Sequence, residues 1–267
     1  MIILILILLS LYILSIGTQK PKQNVQAFSP HLYTHRGYYD NQNFPCENTL
    51  AAFARSVEHG YGIELDIQYT RDRKIVVFHD ISLQRLCGID KRISECDYAD
   101  IVRYTLPCGN KIPLFSEVLE LVNGQVPLIV ELKPFKDTIA LVKEALDMLD
   151  AYNGSFCIEC FNPLPIVWLR WNRPDVLRGQ LSNGHFTPDY HTKGYQAIIL
   201  KYLLTNLFAA PHFVSYTPPT DNNLSMYLLK RIYKPLLCAY TIKSPEELEE
   251  ARAKGYTMLI FEGFAAK

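Results

Sequence analysis

Beyond residue 30 the chain alternates short apolar runs, rich in β-branched residues, with longer stretches in which apolar side chains recur every three or four positions. Runs of the first kind lie at 31–35, 62–68, 74–80, 126–132, 155–160, 176–182, 212–217, 235–241 and 256–262. Their length and composition predict strands. The second kind predicts a helix over 47–60, with Leu50, Phe53, Ala54 and Val57 on one face and Gly60 as its stop. Further helices are predicted near 116–123, 136–150, 163–172, 195–208, 222–233 and 244–254, the last with Ser244 as its cap. Strands that alternate with helices pair in parallel. Eight or nine of them, with no glycine-rich phosphate loop after the first, predict a (β/α)8 TIM barrel rather than a doubly wound nucleotide fold. Residues 81–115 hold Cys87-Gly88, Pro107 and Pro113 and lack either period, so they read as a small insertion after the second barrel unit of one α/β domain, 31–267.

Residues 2–17 break the pattern, being apolar throughout with only Ser and Tyr as polar side chains. That composition predicts an N-terminal transmembrane helix, a membrane anchor within residues 1–20. Lys20 and Lys22 follow it, which places the barrel on the cytoplasmic face of a cell membrane. The other reading is a signal segment cleaved after Ser15-Ile16-Gly17, which would leave a secreted domain.

Among the 267 residues, 27 Lys and Arg balance 27 Asp and Glu, and no basic stripe occurs, which argues against nucleic acid as a partner. With 49% apolar and 20% charged residues the chain can bury a large core. Its seven cysteines are odd in number and without repeated spacing, so they read as buried thiols rather than a disulfide framework. Cys157 and Cys160 form an isolated C-x-x-C within a strand, with no second pair to complete a zinc site.

Active sites of such barrels sit at the C-terminal ends of the strands, where polar residues end apolar runs. Here those ends are His35-Arg36-Gly37, Glu64-x-Asp66, His79-Asp80 and Glu131-x-Lys133. Strand alternation turns Glu64 and Asp66 inward together, opposite to Ile63, Leu65 and Ile67, and does the same for Glu131 and Lys133. Three converging carboxylates repel unless a cation lies among them, and all-oxygen ligands favour Ca2+ or Mg2+ over zinc. Two strand-end histidines suit proton transfer near neutral pH. Arg36 and Lys133 supply cations for an anion, most simply a phosphate. Two of the carboxylates would also serve a glycosidase, but the histidine pair has no task there.

The segments "THRGYYDNQNFPCENTLAAF", "GIELDIQYTRDRKIVVFHDISLQRLCG", "IPLFSEVLEL" and "LIVELKP" resemble the glycerophosphodiester phosphodiesterases in order and spacing. The resemblance implies metal-dependent hydrolysis of a glycerophosphodiester to glycerol 3-phosphate and an alcohol. It also implies Glu64, Asp66 and Glu131 as metal ligands, His35 and His79 as the acid/base pair, and Arg36 and Lys133 facing the phosphate. Glu47 and Asn48 of the E-N-T element would orient the loop after the first strand. Two positions depart from the commoner family pattern. Tyr240-Thr241-Ile242-Lys243 replaces W-T-V-N, leaving Tyr240 as the aromatic wall of the substrate pocket, and Glu262 stands where an Asp-x-Pro is commoner. A related phospholipase-type activity on intact lipid head groups is the alternative, drawn from the predicted anchor.

Overall fold

The computed structural model describes residues 2–40, 45–133, 135, 137–184 and 194–266. Its sheet contains β1 (His31–His35), β2 (Gly62–Tyr69), β3 (Ile75–Val77), β4 (Leu128–Leu132), β5 (Phe156–Cys160), β6 (Leu177–Leu181), β7 (Phe213–Tyr216), β8 (Leu236–Ile242) and β9 (Met258–Phe261). Eight of these are parallel and close on themselves, since β1 pairs with both β2 and β9. The barrel is therefore as expected. The run at 74–80 is not one of its staves, because β3 lies antiparallel on β2, with Ile67 opposite Val77.

The two faces of β2 show how sequence period builds the site. Ile63, Leu65 and Ile67 point outward and pack with Phe53, Phe115 and Val118 of the surrounding helices, as apolar residues of a period-two strand do when covered by helices. Glu64 and Asp66, also buried, point the other way. At the N-terminal ends of the strands the barrel interior is apolar, filled by Tyr33, Ile129, Cys157, Phe213, Cys238 and Met258 and closed below by Phe28. Gly62 makes room for Tyr33, since a Cβ there would lie 2.5 Å from its ring. Polar side chains are thus gathered at the opposite, C-terminal mouth.

Among the helices, α1 covers Ile2–Ser15, α2 covers Leu50–Glu58 and the short α3 covers Gln84–Cys87. Thr49 caps α2 by accepting from the Ala52 N–H, and Ser244 caps the helix at Pro245–Ala253 in the same way from Glu247. The stretch expected as one helix over 195–208 is two, Gly194–Lys201 and Asn206–Ala209, with Leu203 in left-handed conformation between them. Residues between β3 and the helix at Phe115–Val122 form their own small cluster, in which Phe78, Leu83, Ile93, Ile101 and Ile112 are buried.

The expected transmembrane anchor is overturned. The 14 residues of α1 extend about 21 Å at 1.5 Å per residue, short of the ~30 Å hydrocarbon core. Among the described residues no helix is long and apolar enough to cross a membrane. The physical reason is that the end of the apolar run is used for packing. Tyr12 bonds Ser225 at 2.6 Å, Ile16 is fully buried, its carbonyl accepts from Asn206, and Tyr233 donates to the Ile13 carbonyl. The membrane partner at residues 2–17 and the cytoplasmic-face localisation rested on that anchor and fall with it.

The cysteine reading is also corrected. Cys46 and Cys108, 62 residues apart, form a disulfide that ties the loop before α2 to the segment 81–115. Cys87, Cys96, Cys157, Cys160 and Cys238 are free, so the C-x-x-C is unpaired. Pairing across 62 residues leaves no mark in local spacing.

Candidate active site

At the mouth of the barrel, single ligand oxygens of Glu64, Asp66 and Glu131 lie within 4.8 Å of one another. Register explains the convergence: β2 and β4 are adjacent, with Asp66 opposite Glu131. All three are buried. Lys133 Nζ, also buried, bonds Glu131 at 2.8 Å and Asp66 at 3.2 Å. It stands among the carboxylates rather than apart from them.

His35 ends β1, and its Nδ1 lies 2.6 Å from Glu262 Oε2 while Nε2 lies 4.0 Å from Glu64. His79 follows β3, with Nδ1 2.7 Å from Asp80. A carboxylate therefore receives the Nδ1 proton of each ring and leaves Nε2 directed elsewhere. The loop after β1 is held by Arg36, a non-glycine residue with φ 58°, a conformation costing on the order of 1 kcal/mol. Its N–H donates to Glu64 (3.0 Å), its carbonyl accepts from the Asn48 N–H, and its guanidinium bonds Glu47 at 2.8 Å. Asn48 donates its side-chain N–H to Asp66 at 2.8 Å. Glu47 and Asn48 are thus joined directly to Arg36 and Asp66, more closely than an orienting loop requires. Tyr240 donates to the Ser182 carbonyl at 2.9 Å and sets its ring edge-on to Phe161 at the rim.

Burial and repulsion govern the protons here. Burial, then the charges of Asp66 and Glu131, raises the Glu64 carboxyl well above the carboxylate range. Burial pushes Glu131 up to about 7 despite Lys133. Burial acts the same way on Asp66, but Lys133, His79 and Arg36 outweigh it and hold that carboxyl far below its usual value. His79 is pushed down to about 4 by burial and then by Lys133. His35 is lowered by burial and Arg36, with Glu262 opposing them. Both imidazoles thus give up a proton more readily than a free imidazole does.

This oxygen set suits a hard divalent cation on two grounds. Glu64 and Glu131 resist ionisation beside Asp66, a repulsion that a cation relieves. Asn48 Oδ1 is buried without a hydrogen-bond partner next to Asp66, a carbonyl oxygen of the kind such ions accept.

Strand-end reading gave no role to four residues. Glu262 and Asp80 hold the two histidines, and each sits just past a strand end, so the signal was present. Glu159, on β5 opposite Glu131, is buried, pushed up to about 8 by burial, and accepts from Ser215. Its signal was a lone acid inside an apolar strand. Arg85 had none, because its partners, Glu47 and Asp80, are assembled only by folding.

A profile of the glycerophosphoryl diester phosphodiesterase family matches residues 35–252, most of the chain. The chain belongs to this family. Human lysophospholipase D GDPD1 is 29% identical over 158 residues, 54% of this chain and 48% of that relative. A glycerophosphodiester phosphodiesterase of Bacillus altitudinis is 33% identical over 110 residues, 38% of this chain and 44% of its own. The chain thus spans about half the length of these curated relatives or less. An Oleispira antarctica phosphodiesterase, solved with the product sn-glycerol-3-phosphate, superposes with a TM-score of 0.72 at 19% identity, covering 90% of this chain and 95% of that one. The Thermotoga maritima glycerophosphodiester phosphodiesterase gives 0.65 at 21%, covering 86% and 93%. At such identities the likeness shows the shared fold.

Proposed function

We propose that the protein hydrolyses glycerophosphodiesters to glycerol 3-phosphate and an alcohol. One observation carries this reading: three buried carboxylates converge within 4.8 Å at the barrel mouth, flanked by two histidines whose Nδ1 atoms are each held by a further carboxylate. Family membership and the named relatives point the same way.

Glu64, Asp66 and Glu131 would hold a Ca2+ or Mg2+, which supplies Lewis-acid polarisation of a phosphate oxygen. Arg36 and Lys133 add positive charge around the phosphate, where negative charge grows during the displacement. His79 is neutral and donates its Nδ1–H to Asp80, so its Nε2 lone pair accepts a proton from the attacking water. His35, the other ring, delivers a proton to the departing alkoxide, with Glu262 on its Nδ1 favouring the charged ring against burial and Arg36. Tyr240 at the rim offers an aromatic wall to the glycerol.

The test is release of glycerol 3-phosphate from glycerophosphocholine and glycerophosphoglycerol, run beside intact phosphatidyl lipids. The soluble diesters should be cleaved, exhaustive chelation should stop the reaction, and Mg2+ or Ca2+ should restore it. Glu131→Gln should raise the cation concentration needed. Absence of turnover, or full activity after chelation, would overturn the proposal.

A further inference from the structure

The segment 81–115 lies outside the barrel, and from it Arg85 reaches residues of the site. Arg85, on α3, presents the two sides of its guanidinium to two carboxylates at once. Nε and Nη2 bond Asp80 at 2.6 and 3.1 Å, while Nη1 and Nη2 bond Glu47 at 2.9 and 2.6 Å. Asp80 is the carboxylate that holds His79, and Glu47 is buried beneath Arg36. A planar fork that satisfies two carboxylates fixes both in orientation as well as in charge, which an ammonium cannot do.

We infer that Arg85 is a positioning residue for the reaction: by clamping Asp80 it fixes the tautomer and direction of the His79 ring. This rests on the functional reading above. Arg85 acts through Asp80 and does not touch the reacting atoms. Its side chain is 45% exposed whereas that of Glu47 is 2% exposed, so trimming it opens no cavity in the core. Glu47 keeps Arg36 as a partner, and the arm of Arg85 that governs turnover is the one on Asp80. A ring misplaced by an ångström costs up to about 100-fold in rate.

Arg85→Ala and Arg85→Lys, alone and combined with Asp80→Asn, should be assayed on glycerophosphocholine beside wild type. We expect kcat to fall about 10- to 100-fold with KM within about twofold, because binding through Arg36 persists. Added guanidinium should raise kcat of Arg85→Ala and leave wild type unchanged. The double variant with Asp80→Asn should be no slower than Asp80→Asn alone, since both changes break one chain of contacts. Unchanged kcat, a loss confined to KM, or additive losses would overturn the inference. If Arg85→Ala does not fold, Arg85→Lys carries the same expectation, because it keeps the charge and loses the fork. A readout independent of turnover is the imidazole Nδ1–H resonance of His79 in 15N-histidine spectra. It should be exchange-protected in wild type and lost in Arg85→Ala, while that of His35, bonded to Glu262, stays. Loss of neither resonance sinks the inference even in an active enzyme. A wild type without turnover would instead sink the functional reading, leaving the spectra to decide the role of Arg85.

Discussion

Replacing Glu262 by Gln isolates the contribution of one charge, because the amide keeps the shape and an acceptor oxygen. Glu262 receives the His35 Nδ1 proton at 2.6 Å, and its other neighbours are Tyr39 Oη at 2.9 Å and Lys243 Nζ at 3.2 Å. Two unit charges 4 Å apart near a protein surface interact by about 4 kcal/mol. A hydrogen bond to a charged group contributes roughly 1 to 1.5 kcal/mol more than one between neutral groups. Lys243 already offsets part of the Glu262 charge, which favours the lower figure. If His35 delivers the leaving-group proton as proposed, its protonated form should lose on the order of 1.5 to 3 kcal/mol, or about 10- to 100-fold in kcat. Stability carries a separate signature. Burial works against ionisation of Glu262, but hydrogen bonds from His35 and Tyr39 and the charge of Lys243 outweigh it and hold the carboxyl well below its ordinary 4.5. A depressed carboxyl stabilises the fold above its unfolded value and loses that contribution as pH falls. The melting temperature of Glu262→Gln should accordingly trail wild type above about pH 5, with the gap closing as the pH is taken below 4.5. Steady-state kinetics and thermal melts from pH 3 to 8 measure both effects. Wild-type kcat in a folded Glu262→Gln protein would refute the assignment of Glu262 as the group that charges His35.

His35→Ala and His79→Ala should each lower kcat by roughly 10²–10⁴-fold with circular dichroism unchanged, and near-native rates in either would remove that ring from proton transfer. Because His79 is pushed from 6.5 down to about 4, the unfolded chain binds its proton first. Stability should fall as pH drops from 6.5 towards 4, by on the order of 3 kcal/mol from this ring. His79→Gln should flatten that slope in thermal melts, and an unaltered slope would count against it. Reducing Cys46–Cys108, or changing both to Ser, removes a cross-link 62 residues apart. By chain entropy this costs up to about 4 kcal/mol, and equal melting temperatures with and without reductant would contradict that expectation.

Local periodicity was enough for the barrel and for about half of the residues gathered at the candidate site. Strand alternation on β2 placed Ile63, Leu65 and Ile67 against the helices and turned Glu64 and Asp66 to the interior, because a period of two leaves no other way to cover the apolar face. The same rule marked Glu131, Lys133 and the two histidines as strand-end groups. It misjudged residues 2–17, since apolarity alone does not separate a bilayer span from a segment whose end packs against Tyr233 and Asn206. Nor did it find the contacts that orient the site. Glu262 meets His35 from the opposite end of the chain, 227 residues away, and Arg85 reaches Glu47 across 38. Barrel closure between β1 and β9 creates the first meeting, and the fold of 81–115, which sets Arg85 beside Glu47, creates the second. Amino-acid order decides which face a side chain takes within its own strand; which partner waits there depends on how distant strands are brought into register, and that information exists only once the sheet has closed.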